Sequence, residues 1–132
     1  MSVRQVVPFL CVSNMERSVG YYVDGLGFVI RHKWEPDGKL RWCWLALGGA
    51  ALMLQEYPKP EGKVGEGMSL YFICDDAVAI YRELRSRGIE ASEPQVENHM
   101  WVTALADPDG YRLFFESLTD VPEETKLSEV AG

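Results

Sequence analysis

The chain has 132 residues, 47% of them hydrophobic and 25% charged, a composition typical of one globular domain with its own core. Its net charge of −7 argues against nucleic acid or an anionic membrane as a partner. No apolar run approaches the roughly 20 residues of a membrane span. No basic segment followed by an apolar one opens the chain, so a cytoplasmic protein is expected.

In the first half, the apolar, β-branched run Val3–Val12 predicts a strand. Pro8 has no N–H, so this strand needs a sheet edge or a bulge at that point. Ser13, with Glu16 three residues later, predicts a capping box at a helix start. The helix is expected to end at one of two glycines, Gly25 or Gly27.

The rest of this half predicts three strands. Phe28–Glu35 alternates, which places one set of side chains on a single face: Phe28, Ile30, His32 and Trp34. A turn at Pro36–Lys39 leads into the strands Leu40–Leu47 and Ala50–Tyr57. The segment 58–67 has two prolines and three glycines and is expected to link the two halves.

In the second half, Met68–Cys74 predicts a strand, and Asp75 or Asp76 caps a helix that ends at Gly88. The remaining strands are expected at Ile89–Ser92, Met100–Ala106 and Tyr111–Leu118. The acidic segment 119–132 is expected to be a flexible tail.

The two halves follow one plan, offset by about sixty residues. Gly27 to Gly88 and Gly49 to Gly110 are both steps of 61 residues. An internal repeat of this kind predicts an α+β fold of two βαβββ modules, at about 3–57 and 68–118, within one domain 1–118. Each helix is expected to cover the outer face of its own mixed sheet and to leave the other face to a central cleft.

Three segments carry a resemblance to a known family: Val12–Tyr22, Gly25–Phe28 and Asp107–Leu113. With this plan, the chain closely resembles the vicinal oxygen chelate superfamily over Val3 to Ser117. That superfamily includes glyoxalase I, extradiol dioxygenases, fosfomycin-resistance enzymes and bleomycin-resistance proteins. The resemblance is closest to the bleomycin-resistance branch, whose first strand also has a proline where Pro8 stands. It implies the fold but not one reaction, since one fold supports many chemistries.

The resemblance also implies four strand positions at which the metal enzymes of the superfamily hold a divalent ion. In this chain they carry Val7, Met53, Ser69 and Phe114. Hard divalent ions bind carboxylate or water oxygen, and borderline ions bind imidazole or thiolate, so this set is not expected to hold a metal. Three cysteines, Cys11, Cys43 and Cys74, are odd in number and lie in predicted strands, where they are expected to be buried, reduced and structural.

The four positions mark the face of each sheet that lines the cleft, because side chains two residues apart share a face. The same face is then expected to carry Phe9, Cys11, Gln55, Tyr71, Ile73, Arg112 and Glu116. This mixture of aromatic, apolar and polar side chains is typical of a small-molecule pocket, whereas the opposite faces are apolar.

Several of these residues have two readings. Glu116 is either a general base or ligand-binding carboxylate, or a strand-end acid paired with Arg112 or solvent. His32 is either a ligand contact or a packing residue. His99 is either a ligand contact or an exposed loop residue. Three tryptophans also have two interpretations, because flat indole rings either bind planar or cationic ligands or pack in a core or dimer interface: Trp42, Trp44 and Trp101.

The leading hypothesis is a metal-free, homodimeric protein of the bleomycin-resistance type, without a cofactor, that sequesters a small aromatic or cationic antibiotic or metabolite. The expected ligand-binding residues are Phe9, His32, Trp42, Trp44, Met53, Gln55, Tyr71, His99, Trp101, Arg112, Phe114 and Glu116. One alternative is a metal-dependent lyase, isomerase or dioxygenase with atypical ligands such as Glu116, Gln55 or His99. A third is a scaffold module with a vestigial cleft. The sequence leaves open whether any reaction is catalysed.

Overall fold

The computed structural model of the chain describes residues 1–57 and 64–130, so most of the predicted linker 58–67 lies outside the described residues. The chain divides into two compact units, Met1–Glu66 and Gly67–Gly132. Each unit contains one four-stranded sheet and one principal helix. No helix in the described ranges is both long enough and apolar enough to cross a membrane.

The first unit has the element order βαβββ. Its elements are β1 (Phe9–Val12), α1 (Met15–Val19), a π-helical stretch (Gly20–Gly25), β2 (Val29–Trp34), a 3-10 turn (Pro36–Gly38), β3 (Trp42–Leu47) and β4 (Ala50–Glu56). The sheet order is β1-β4-β3-β2, with β1 parallel to β4 and the other pairs antiparallel.

The second unit has the same connectivity. Its elements are β5 (Ser69–Ile73), α2 (Ala77–Ser86), β6 (Gln95–Glu97), β7 (Met100–Ala106), β8 (Arg112–Leu118) and α3 (Leu127–Val130). The sheet order is β5-β8-β7-β6, and only the β5–β8 pair is parallel. The α+β class with two four-stranded mixed sheets is therefore confirmed.

One face of each sheet is buried beneath its helix. On the first sheet, this face is apolar and closed to solvent at Leu10, Leu45 and Leu54. On the second sheet, Leu113 and Phe115 take the corresponding positions on β8. Burial of these aliphatic and aromatic side chains is the main force that holds each helix against its sheet.

The start of each helix is fixed by a side-chain cap. The Oδ1 of Asp76 accepts a hydrogen bond from the N–H of Ala79 at 2.9 Å, which confirms one of the two predicted caps of α2. The predicted Ser13–Glu16 capping box is wrong, because Asn14 is the cap of α1 and its Oδ1 accepts from the N–H of Arg17 at 3.0 Å. Asparagine caps a helix as well as serine does, and here it stands one residue closer to the helix.

The first strand is shorter than predicted, since β1 begins at Phe9 and not at Val3. Pro8 still joins the sheet through its carbonyl, which accepts from the N–H of Met53 at 2.9 Å. β1 is an outer strand of its sheet, as the sequence predicted for a strand next to a proline, and Pro8 itself precedes the first residue of the strand.

Two further strand predictions need correction. Ile89–Ser92 is not a strand, although the N–H of Ser92 donates a hydrogen bond to the carbonyl of Ala104. Pairing with β7 begins only at Gln95, because the preceding residue, Pro94, has no N–H to donate. In β2 the register shifts between Ile30 and His32, so the two residues do not share the predicted face.

The segment after β8 is also ordered differently from the expected flexible tail. Residues 119–130, which we call the C-terminal strap, run back along β6. The N–H of Val96 donates to Thr125 at 2.9 Å, and the N–H of Glu124 donates to Val96 at 2.8 Å. The Glu123 carboxylate accepts from the N–H groups of Asn98 and His99, at 2.6 and 3.0 Å.

Candidate functional site

The face of the first sheet that points away from α1 carries an aromatic cluster, which we call the first open face. Paired residues of neighbouring strands share a face, so the register defines two rows that cross all four strands. One row is Phe9, Met53, Trp44 and His32. The other row is Cys11, Gln55, Trp42 and Trp34.

The rings on this face contact one another and remain accessible. His32 meets Trp44 edge to face, with ring centroids 6.0 Å apart. Phe9 is 42% exposed and Trp34 is 54% exposed, while Trp42 and Trp44 are half-buried. Half-buried indoles are held in place by their neighbours and still offer surface to a ligand.

The structure therefore brings together six of the residues selected from the sequence: Phe9, His32, Trp42, Trp44, Met53 and Gln55. It adds Trp34, which pairs directly with Trp42 and was not selected as a site residue. The signal that could have found it was its alternation with His32 along one strand.

The corresponding face of the second sheet, the second open face, is more polar. Tyr71 pairs with Phe114, and their rings stack with centroids 4.8 Å apart and 15° between the planes. The Arg112 guanidinium carbon lies 5.4 Å from the centroid of the Phe114 ring, which is a cation–π distance. Tyr71 is 63% exposed, so this stack presents an open aromatic surface.

Glu116 lies on the second open face, where its register neighbours are Ile73 and Val102. The residue is half-buried. Across the described residues, its carboxylate is in no ion pair or hydrogen bond, and Arg112 packs on Phe114 instead. A half-buried carboxylate beside apolar side chains is available to a ligand.

Two selected residues lie elsewhere. Trp101 pairs with Val96 and Ser117 on the helix-covered face of the second sheet, where the hydroxyl of Thr103 donates to the carbonyl of Ala77. His99 lies in the turn between β6 and β7 with a φ of 65°, and its N–H is held by the strap.

The family-implied metal positions do not fit a divalent ion. Val7, Met53 and Phe114 offer hydrocarbon or a thioether, and Ser69 offers only a neutral hydroxyl. Within residues 1–57 and 64–130, no three His, Cys, Asp or Glu side chains converge where they could hold a metal ion.

The thiols are not placed for nucleophilic chemistry. Burial raises the pKa of Cys43 to about 11, and the residue is closed to solvent. Burial likewise raises the pKa of Cys74. Because the thiolate is the reactive form, both groups are suppressed at neutral pH.

Comparisons with known proteins agree with this architecture. Three solved structures share the fold, each 23% identical to the chain. TnmS3, an antibiotic-binding protein from Streptomyces sp. CB03234, has a TM-score of 0.72, with 90% of this chain and 99% of that chain covered. A bleomycin-binding protein complexed with bleomycin has a TM-score of 0.73, with 89% and 100% covered. A bleomycin resistance determinant encoded on the transposon Tn5 has a TM-score of 0.74, with 88% and 98% covered.

At 23% identity, the similarity of the chain to these three structures shows a shared fold alone. No curated protein matches the chain. The model of one family matches residues 3–115, which span both sheets and both principal helices. The chain therefore belongs to the glyoxalase/bleomycin resistance protein/dioxygenase superfamily.

Proposed function

We propose that the protein binds and sequesters a small planar aromatic molecule, preferably a cationic one, without a metal cofactor. The observation that carries the proposal is the first open face, where three indoles, one phenyl ring and one imidazole lie in two adjacent rows. Stacking and cation–π contacts with such rings contribute about 0.5–2 kcal/mol each. Sequestration needs no bond to be broken, so it does not depend on a catalytic group.

Two further observations support this proposal. The net charge of −7 attracts cationic ligands to the molecule, although the excess of acids lies in residues 67–132 and not in the unit that carries the first open face. The structural relatives include one protein described as antibiotic-binding and another complexed with bleomycin. We also propose a cytoplasmic homodimer, because exposed apolar side chains outside the aromatic rings, such as Ile73 and Leu118, are typical of surfaces that a partner covers.

Titration against intrinsic tryptophan fluorescence tests the proposal, because three of the four tryptophans lie on the first open face. The titrants are bleomycin and a planar aromatic cation such as ethidium. A saturable change in emission that disappears in W42A/W44A, and persists in W101F, is expected. The absence of a saturable change with either compound would remove the proposal.

Glu116 supports a second candidate function, general-base catalysis on a ligand bound at the second open face. Its carboxylate is half-buried and makes no ion pair or hydrogen bond within the described residues, so its oxygens are open to a proton of a bound ligand. The measurement is turnover of glyoxalase-type substrates by the wild type and by E116Q. Loss of a measurable rate in E116Q supports the role of Glu116, whereas an equal rate excludes it.

A further inference from the structure

The second open face carries two opposite charges on one strand, with an aromatic stack between them. Arg112, Phe114 and Glu116 alternate along β8, so their side chains share the face that points away from α2. The Tyr71 ring of β5 extends this row with exposed aromatic surface. By contrast, neither row of the first open face contains Lys, Arg, Asp or Glu. The two faces therefore suit ligands of different chemistry.

Neither charge on the second open face is neutralised by a neighbour. Residues 67–132 contain thirteen Asp and Glu, yet across the described residues the Arg112 guanidinium is in no ion pair or hydrogen bond. Its contact with the Phe114 ring leaves its N–H donors to a ligand. Glu116, half-buried beside Val102, is likewise without a counter-ion in residues 1–57 and 64–130. Each group is therefore able to form a charge-assisted hydrogen bond to a ligand.

The spacing of the two charges sets the length of such a ligand. Glu116 is four residues after Arg112, and a strand rises about 3.3 Å per residue, so their Cα atoms lie about 13 Å apart. Phe114 lies midway between them. On β7, Ala106 pairs with Arg112 and Ala104 pairs with Phe114, and these small side chains leave room beside the stack. The face thus matches an extended zwitterion with an aromatic group near its middle.

We propose that the second open face binds a short aromatic peptide, of about three residues, with free ends. The peptide carboxylate accepts hydrogen bonds from the Arg112 guanidinium, its ammonium group donates to the Glu116 carboxylate, and its central ring packs on Tyr71. An extended tripeptide is about 10 Å long, so the two charged side chains reach its ends. This inference goes beyond the proposed function, which uses the first open face, and it requires no turnover.

Capped peptides test each end of the ligand separately. The probes are Gly-Phe-Gly, its N-acetylated form, its C-amidated form and Gly-Ala-Gly, each titrated into the isotope-labelled full-length protein. NMR chemical shifts measure the dissociation constant and locate the site. We expect saturable shifts on β5 and β8 with Gly-Phe-Gly. Each of the other three peptides should bind about threefold to fivefold more weakly, as loss of one exposed ion pair or one ring contact predicts.

Variants connect each end of the peptide to one residue. E116Q should bind Gly-Phe-Gly as weakly as the wild type binds the acetylated peptide, and acetylation should then cost E116Q nothing more. R112Q should respond to amidation in the same way. The matched controls are E90Q and R82Q, which neutralise exposed charges outside this face and should bind as the wild type does.

Four outcomes would overturn the proposal. They are the absence of saturable shifts, shifts confined to the first sheet, equal affinities for free and capped peptides, and additive effects of E116Q and acetylation. The fluorescence titration that depends on Trp42 and Trp44 reports on the first open face instead. Failure of the peptide site is therefore distinguishable from failure of the proposed function.

Discussion

Glu56 and Ser117 accept equivalent hydrogen bonds in the two units. The N–H of Met15, the first residue of α1, donates to Oε2 of Glu56 at 2.8 Å. The N–H of Ala77, the first residue of α2, donates to the hydroxyl of Ser117 at 2.8 Å. The two acceptors are 61 residues apart, and each lies on the strand beside the parallel edge strand of its sheet. A carboxylate therefore serves in the first unit where a hydroxyl serves in the second.

This difference predicts that only the first unit is sensitive to protonation at this position. The hydrogen bond from Met15, reinforced by Lys39 and Arg41, lowers the pKa of the Glu56 carboxyl. The resulting stabilisation is present above the unfolded carboxyl pKa of about 4.3 and is lost as the pH falls through the lowered folded value. At pH 7, E56Q should lower the free energy of unfolding by about 1–2 kcal/mol, measured by urea titration with tryptophan fluorescence.

The difference in the free energy of unfolding between the wild type and E56Q should disappear as the pH falls below about 4. The control is E90Q, which removes an exposed acid from the second unit and should leave stability unchanged. S117A leaves a buried N–H without its acceptor and should cost about 1–3 kcal/mol at every pH. A gap for E56Q that stays constant down to pH 3 would contradict this account.

Trp34 is predicted to contribute to ligand binding although it lies on the outermost strand. It extends the row of Trp42 and is more than half exposed, so a planar ligand on the first open face can stack on it. W34A should weaken binding about fivefold to tenfold, as loss of one aromatic contact does. Isothermal titration calorimetry measures the affinity, and W101F, on the helix-covered face of the other sheet, should bind as the wild type does. Equal affinities for W34A and the wild type would confine the site to the inner strands.

Divalent metals are predicted to leave the stability of the protein unchanged. A ligand that binds only the native state raises its melting temperature, so thermal shifts against Ni²⁺, Zn²⁺, Mn²⁺ and Fe²⁺ report binding directly. With Val7, Met53, Ser69 and Phe114 at the family positions, no shift and no stoichiometric metal by elemental analysis are expected. A shift of several degrees with one ion per chain would favour the metal-dependent enzyme instead.

Cys43 is predicted to resist thiol reagents in the folded protein. It is closed to solvent and burial raises its pKa to about 11, so very little thiolate forms at pH 8. Iodoacetamide followed by peptide mass spectrometry should leave Cys43 unmodified until urea unfolds the first unit. Cys11, half-buried on the first open face, is the internal comparison. Equal labelling of both thiols under native conditions would show that the first sheet opens readily.

The fold could be predicted from the sequence wherever one local signal dominated. Asp76 and Gly88 bound α2 as expected, because a carboxylate cap and a glycine at a φ of 76° act within one turn of the helix. The start of β1 and the absent strand at Ile89–Ser92 depend on pairing with distant segments, which local propensity does not report.

The candidate site was predictable in part for a related reason. Strand alternation correctly grouped Trp42 with Trp44, since both lie on an uninterrupted strand. It failed for Ile30, because the register shift in β2 inserts one residue without any glycine or proline to mark it. For Trp101 the sequence left ligand contact and packing both open, because its face is set by the register of β7 on β8, which no motif in the sequence reveals.

The strap also has a practical consequence for producing the protein. Family similarity ends at residue 115, within β8, and a shortened clone designed on that boundary would lose the last three residues of β8 together with the segment that shields β6. An uncovered strand edge is a template for uncontrolled pairing between molecules. Such a clone is expected to precipitate or form fibrils although every residue that defines the family is present, and an affinity tag is better placed at the N-terminus.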